Sequence, residues 1–162
     1  MQALVEVGRG RRTLGLTYVE MLVAMTVLAV LAAVALPVAR WDQKRRDEAR
    51  LRITLRIMRD AIDKYKQYSD QGLIVQSDVE QLGYPRTLDE LVEGVELGDP
   101  EQSEEIRFLP RIPFDPMTGE AEWGLRSYQD DWDSDTWGRE NVYDVYSLSD
   151  RRALDGTYYR DW

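Results

Sequence analysis

A run of 19 residues without a charge, Met21–Ala39, constrains this chain more than any other feature. As an α-helix it would be roughly 28 Å long, close to the hydrocarbon thickness of a bilayer. The run is apolar on every side, so it predicts a helix of membrane length. Two other structures share this pattern: a helix buried in a protein core, and the apolar part of a secretory signal peptide that is removed.

Charge is distributed unevenly around this run. Residues 1–15 carry three arginines and one glutamate, residues 16–39 carry Glu20 alone, and residues 40–162 carry 18 basic and 28 acidic residues. The basic leader indicates that the N-terminus stays in the cytoplasm and that the acidic body lies outside it. Basic residues also follow the run at positions 40 and 44–46, so charge alone leaves the orientation open.

Missing residue types exclude several functions. The chain has no Cys, which excludes a disulfide, a thiolate nucleophile and a zinc–sulfur site. It has no His, which excludes a Ser-His-Asp triad and a histidine-ligated metal or haem. The net charge of −9 argues against nucleic-acid binding, which needs a basic surface. A sugar-cleaving enzyme needs two acids beside a cleft, for which the body leaves little room.

A second apolar pattern follows the charge-free run. Apolar residues recur at steps of four and three along one side of a helix, and Gly72 marks its end. The stripe consists of Leu51, Leu55, Met58, Ile62 and Tyr65, widened by Ile53, Ile57 and Ala61. We predict one long helix from about Leu16 to Gln71, whose stripe the rest of the body covers.

The remainder predicts loops, one short helix and strands. Thr87 and Glu90 form a capping-box pattern that opens a helix at 88–92, ended by Gly94. Segments rich in aromatic and β-branched residues predict three strands, at 106–112, 122–128 and 141–149. The predicted fold is therefore α+β, with the long helix packed against a small antiparallel sheet of about three strands.

The N-terminal residues RGRRTLGLTYVEMLVAMTVLAVLAAVALP resemble the class III signal peptide of type IV pilins and type II secretion pseudopilins. In that family a basic leader ends in Gly, an apolar helix follows directly, a Glu is the fifth mature residue and a Pro lies near the twenty-second. Gly15, Glu20 and Pro37 fit these landmarks if Leu16 is the new N-terminus. The resemblance implies a pilin-like fold whose helix spans the membrane in its first half, and an assembly role for Glu20 and Pro37.

Glu20 and Pro37 also have physical consequences of their own. A carboxylate in an apolar helix of membrane length costs about 3 kcal/mol or more, so we expect it to be paired or functional. Cleavage before Leu16 would create an α-amino group, which Glu20 of the next subunit can neutralise. The simpler alternative is that Glu20 lies near the membrane surface and reaches water. Pro37 removes a backbone donor, so it is either a tolerated kink or a site where the helix bends or unwinds.

Three stretches of the body, YPRTLDELVEG, FLPRIPFDPMTGEAEWG and VYDVYSLSDRRALDGTYYRDW, look like the major pseudopilins of type II secretion systems. That family holds a calcium ion in its C-terminal loop, and the resemblance implies Leu148, Asp150 and Asp155 as its ligands here. Calcium favours six to eight oxygen ligands. Two arginines inside the loop, at 151 and 152, could instead pair with the carboxylates. A second calcium candidate, alternatively a solvated loop, is formed by Asp130, Asp131, Asp133 and Asp135.

The resemblance implies a structural subunit of a type II secretion pseudopilus and not an enzyme. A prepilin peptidase would cut after Gly15 and methylate Leu16. The subunit would wait in the bacterial inner membrane with its body in the periplasm, and would then assemble by helix stacking to drive protein export across the outer membrane. The expected organisation is a leader at 1–15, a transmembrane and assembly helix at 16–39, and a periplasmic body at 40–162. In the body we expect helix to about 71, loops at 72–105, and the sheet with the C-terminal loop at 106–162.

The expected partners are further copies of the chain, minor pseudopilins, the prepilin peptidase, the inner-membrane assembly platform and membrane lipid, with no nucleic acid. The alternative is a type IV pilin, or a minor pilin-like subunit, of a fibre for motility, adhesion or DNA uptake. The absence of Cys favours the pseudopilin, because type IV pilins commonly close their C-terminal loop with a disulfide.

Overall fold

Helices dominate the first half of the chain, and short strands and loops make up the second. The computed structural model describes residues 17–74, 79–98, 105–131, 134 and 136–162, and for residues 34–39 it describes the backbone alone. Contacts divide the chain into two units, Met1–Trp41 and Asp42–Trp162. The elements are helices α1 (Tyr18–Asp70) and α2 (Leu88–Glu93), strands β1 (Val95–Glu96), β2 (Glu105–Ile106), β3 (Gly124–Arg126) and β4 (Asp144–Tyr146), and 3₁₀ turns at Val79–Gln81 and Tyr159–Asp161.

The core of the second unit forms along the apolar stripe of α1. The five residues of the predicted stripe are each at most 3% exposed, and Ala61 is buried beside them, which confirms this prediction. Ile53 and Ile57 were wrongly included, because they are 60% and 50% exposed. Each lies about 200° around the helix from a buried leucine two residues earlier, so it faces away from the core.

Side chains from every later part of the second unit cover the stripe. Leu88 and Leu91 come from α2, Val145 comes from β4, and Tyr159 comes from the last 3₁₀ turn. All four are buried in one cluster with the α1 stripe. The hydrophobic burial of this cluster is therefore what holds the short elements of the second unit together.

The predicted three-stranded sheet is wrong. The described residues form two separate two-stranded antiparallel sheets, β1 with β2 and β3 with β4. After Ile106 the backbone N–H groups of Phe108 and Leu109 both donate to the carbonyl oxygen of Leu91 in α2 (2.9 and 2.8 Å), and Pro110 has no N–H to donate. The segment 106–112 therefore leaves the sheet after one residue.

Strand β3 is also shorter than predicted, for an equally local reason. The N–H of Ser127 donates to Asp130 Oδ2 (2.7 Å), and the N–H of Tyr128 donates to Asn141 Oδ1 (3.0 Å). Both donors are taken by side chains, so the ladder ends at Arg126.

The predicted membrane-spanning first half of the long helix is a further correction. Among the helices of the described residues, none combines the length and the apolar character needed to cross a bilayer.

Helix α2 begins and ends where its sequence signals predict. Thr87 precedes it in an extended conformation, and Gly94 ends it with a φ of 98°, a value that favours glycine. The reciprocal capping box is not formed, because the Thr87 side chain makes no capping hydrogen bond and Glu90 does not accept from the Thr87 N–H. Glu90 Oε2 instead accepts hydrogen bonds from the Arg86 N–H (3.0 Å) and the Tyr65 hydroxyl (3.3 Å). Glu90 therefore also ties α2 to α1.

The stripe predicts a sharp contrast between neighbouring residues of α1. Leu51→Ala should lower the free energy of unfolding by about 3 kcal/mol, because it leaves a cavity in a fully buried site. Ile53→Ala, on the exposed side, should change it by about 0.5 kcal/mol or less. Urea unfolding of the purified chain measures both, and equal effects would contradict the assignment of the stripe.

Candidate functional site

The first unit exposes a long apolar surface on α1. Its side chains at residues 17–33 are all exposed. Ten large apolar side chains among them are between 48% and 77% exposed: Tyr18, Val19, Met21, Leu22, Val23, Met25, Val27, Leu28, Val30 and Leu31. We call residues 18–33 the exposed apolar segment. A patch of this size marks a surface that another molecule covers.

Glu20 lies in the first turn of α1, where it has a local role. Its backbone N–H donates to Thr17 Oγ1 (3.3 Å), and the Met21 N–H donates to the Thr17 carbonyl oxygen (3.1 Å). Thr17 therefore caps the helix, and Glu20 occupies the third helical position, where a carboxylate interacts favourably with the helix dipole. The sequence Thr-Tyr-Val-Glu is thus a capping-box pattern that sequence reasoning missed, although it recognised the same pattern at residues 87–90.

Glu20 is the only charged residue of the exposed apolar segment. Two hydroxyl groups accompany it: that of the exposed Tyr18, and that of Thr26, which donates to the Leu22 carbonyl oxygen (2.7 Å) within α1. Such a bond satisfies the hydroxyl locally, as in helices that face an apolar environment. The surface therefore offers apolar contact along its length and one carboxylate at its beginning.

The other three residues predicted for processing and assembly are Gly15, Leu16 and Pro37. Gly15 and Leu16 lie outside the described residues. Pro37 belongs to α1, and its side chain is outside the described part. The cleavage after Gly15 and the role of Pro37 therefore stay predictions.

The first calcium candidate is a loop held by its own side chains. Asp155 Oδ1 accepts hydrogen bonds from the Thr157 N–H (3.0 Å) and the Thr157 hydroxyl (2.6 Å), and the side-chain bond is the main cause of the lowered pKa of Asp155. Asp150 lies 3.7 Å from the Arg160 guanidinium instead. Leu148 has an exposed side chain, and its carbonyl oxygen accepts no hydrogen bond from another described residue. The two carboxylates therefore serve different partners.

The second calcium candidate is only partly described. Asp130 Oδ2 accepts hydrogen bonds from the N–H groups of Ser127 (2.7 Å) and Gly138 (3.2 Å), so this carboxylate braces its own loop. Asp131 is exposed, and Asp133 and Asp135 lie outside the described residues. Asp130 thus has a structural role that does not depend on an ion.

Calcium has no support from the described geometry. Across the described residues, no three acidic side chains gather closely enough to hold a metal ion. Calcium binding at residues 150 and 155 would require the carboxylates to exchange their present hydrogen-bond and ion-pair partners. Calcium therefore stays a prediction from the resemblance, and we derive no role through it.

Glu48 is a buried structural residue that sequence reasoning missed. Its side chain is 5% exposed, and its Oε1 accepts hydrogen bonds from the Leu154 N–H (2.8 Å) and the Tyr159 hydroxyl (3.0 Å). It fastens the C-terminal loop to α1. Its burial could have been predicted from spacing, because Glu48 precedes Leu51 by three residues and so occupies the next position of the apolar stripe.

Two cations of α1 hold the same C-terminal region. Lys44 Nζ donates to the Arg152 carbonyl oxygen (2.6 Å). Arg59 bonds Asp144 Oδ1 through Nε (2.6 Å), and its Nη2 donates to the carbonyl oxygens of Val145 (3.1 Å) and Trp162 (2.8 Å). The last residues of the chain are therefore attached to α1 by one anion and two cations.

The Glu48–Tyr159 contact predicts how stability depends on pH. Burial, together with the Glu48 hydrogen bond and charge, raises the pKa of Tyr159 from about 10 to about 12. The folded state thus favours the neutral phenol, so this contribution is complete below pH 10 and is lost as the pH rises towards 12. Tyr159→Phe should lower the free energy of unfolding near neutral pH by about 2 kcal/mol and reduce its fall above pH 10.

The matched control is Tyr68→Phe. The Tyr68 ring packs against Phe108, and its hydroxyl makes no hydrogen bond to a described residue. Urea unfolding between pH 7 and pH 12 measures both variants. If the two substitutions gave the same pH profile, the role assigned to the Tyr159 hydroxyl would be refuted.

Similarity to known proteins adds no identification. No family model matches the chain, and no curated protein or solved structure matches it either. The functional interpretation therefore depends on the chain's own residues and on their geometry.

Proposed function

We propose that this chain is a structural subunit of a type II secretion pseudopilus. It is processed after Gly15, is held at the bacterial inner membrane with its body in the periplasm, and assembles through α1 into a fibre that drives protein export across the outer membrane. Its partners are other copies of itself, minor pseudopilins, the prepilin peptidase and the assembly platform. Its role is mechanical, and it carries out no chemical reaction.

The exposed apolar segment is the observation that carries this proposal. Ten large apolar side chains are exposed on one stretch of helix within 14 residues. Full burial of one such side chain contributes about 1.5–3 kcal/mol, so their joint burial is a large driving force. Lipid would cover this surface before assembly, and the equivalent segments of neighbouring copies would cover it in the fibre.

Glu20 would fix how neighbouring helices align along this surface, which otherwise offers only apolar contact. Cleavage after Gly15 would place an α-amino group at Leu16, close to the positive end of the α1 dipole. The added positive charge is unfavourable for the helix, and a carboxylate compensates for it. When Glu20 of one copy pairs with the amine of the next, the fibre forms only from processed chains, and neighbouring helices are offset by a fixed distance.

The mature N-terminus is the first test. Mass spectrometry of the protein from its native cells should find a chain that begins at Leu16, with a methyl group on the amine. Gly15→Val should leave the full-length precursor, whereas Gly10→Val, in the same leader, should leave processing unchanged. A native chain that still begins at Met1 would refute the proposal.

Glu20→Gln is the second test. It should leave the amount of chain in the membrane fraction unchanged and reduce fibre assembly about tenfold, because a charge-assisted contact contributes about 1.5–3 kcal/mol. The control is Glu122→Gln, an exposed carboxylate that makes no contact with a described residue.

Fibre formation is measured by sedimentation of sheared material, and export by the proteins released into the medium. Normal assembly of Glu20→Gln would remove its proposed role. Loss of motility, adhesion or DNA uptake, with export intact, would favour the alternative of a type IV pilus subunit.

A further inference from the structure

Charge changes sign along the body of this chain. Residues 42–59, which belong to α1, hold seven basic and three acidic residues, a net charge of +4. Residues 60–162 hold ten basic and 25 acidic residues, a net charge of −15. The basic part of the second unit is thus confined to one stretch of one helix, and the acidic excess lies in everything that follows.

Three arginines of this stretch form a row on the surface of α1. Arg45, Arg52 and Arg56 are separated by seven and four residues, so they lie within about 40° of one another around the helix. All three are exposed. None makes a hydrogen bond or an ion pair with a described residue, whereas the nearby Arg46 and Arg50 pair with aspartates on the same helix. We call these three residues the arginine row.

The arginine row borders a groove, and a tryptophan of that groove restricts one of the arginines. The Arg52 guanidinium stacks on the Trp162 ring, 4.1 Å from the ring centroid. Arg52, Arg56 and Trp162 line a groove with a volume of about 520 Å³, which also includes Asp60 and Asp155. Stacking on Trp162 limits the freedom of Arg52, so binding a carboxylate there would cost less conformational entropy.

A matching acidic surface lies on α2 and β1. Asp89 and Glu93 are one turn apart on α2, and Glu96 follows in β1. All three side chains are exposed, and none pairs with a cation among the described residues. We call these three residues the acidic corner. Among the described residues, the second unit therefore carries exposed cations and exposed anions without ion pairs on different elements, and Arg52 in addition interacts electrostatically with Asp155 across the groove.

We infer that the arginine row binds the acidic corner of a second copy of this chain. The two surfaces are different, so the contact is heterologous: each copy uses its row towards one neighbour and its corner towards the other. Such contacts produce an open chain of subunits and not a closed dimer. The inference depends on the proposed function, because it adds a second contact to a fibre that the exposed apolar segment initiates.

Anionic lipid is the other occupant that an arginine row attracts. A second copy is the occupant that we infer, because its acidic corner supplies carboxylates of opposite charge on folded elements. Anionic lipid would also repel residues 60–162, with their net charge of −15. The contact should weaken at high salt, as exposed charge pairs do.

Charge reversal in the full-length chain tests the inference in cells that assemble it. Arg56→Glu should reduce the sedimented fibre about fivefold, and Glu93→Arg should do the same, as expected for the loss of exposed charge pairs. Combining the two substitutions should restore assembly. The matched control is Arg111→Glu, another exposed arginine without an ion pair to a described residue, which should assemble normally.

Cross-linking supplies an independent measurement, because the chain contains no Cys. The double variant Arg56→Cys with Glu93→Cys should form disulfide-linked ladders under oxidation, and either single variant should form none beyond a dimer. Normal assembly of Arg56→Glu, or failure of the combined reversal to restore assembly, would overturn the inference.

Three further outcomes distinguish failure of the inference from failure of the proposed function. If Arg56→Glu lost binding to phosphatidylglycerol vesicles while its fibres stayed intact, the row would be a lipid contact and the inference would be wrong. If the unaltered chain formed no fibre at all, the proposed function would fail first. Fibres of unaltered chain together with ineffective charge reversals would refute the inference alone.

Discussion

Helix α1 has more apolar surface than this chain covers, and the rest of the structure depends on that imbalance. In the second unit the stripe from Leu51 to Tyr65 is buried by α2, the strands and the last turn. In the first unit the side chains of residues 17–33 are exposed. One helix therefore provides both the core of a domain, which the hydrophobic effect stabilises, and a long exposed apolar surface.

Charged residues of α1 determine how the short elements are attached to this core. Strands of two or three residues are too short to stabilise a sheet by themselves. Glu48 and Arg59 compensate by bonding backbone groups near the end of the chain, so that regions distant in sequence are fixed to one helix. A buried carboxylate that accepts two hydrogen bonds specifies one docking geometry, because any other would leave it unpaired.

The spacing of apolar residues predicted the buried stripe, because side chains three and four residues apart lie on the same side of any α-helix. The start and end of α2 were equally local, since Glu90 bonds the backbone just before the helix and Gly94 ends it at a positive φ. The sheets could not be predicted in this way. Their extent depends on the Leu91 carbonyl oxygen, which accepts two N–H groups from residues 108 and 109, and on the side chains that take the donors after β3. Partners so distant in sequence leave no periodic signal. Glu48 was missed for a different reason: a carboxylate at a position of the apolar stripe looks like the end of the stripe.

The attachment of the C-terminal loop also determines what the chain needs in order to fold. Its contacts with Lys44, Glu48 and Arg59 are hydrogen bonds and ion pairs, and the chain contains no Cys. Closing the loop therefore requires no oxidant and no disulfide isomerase. The loop can therefore open and close again without any covalent bond being broken or formed.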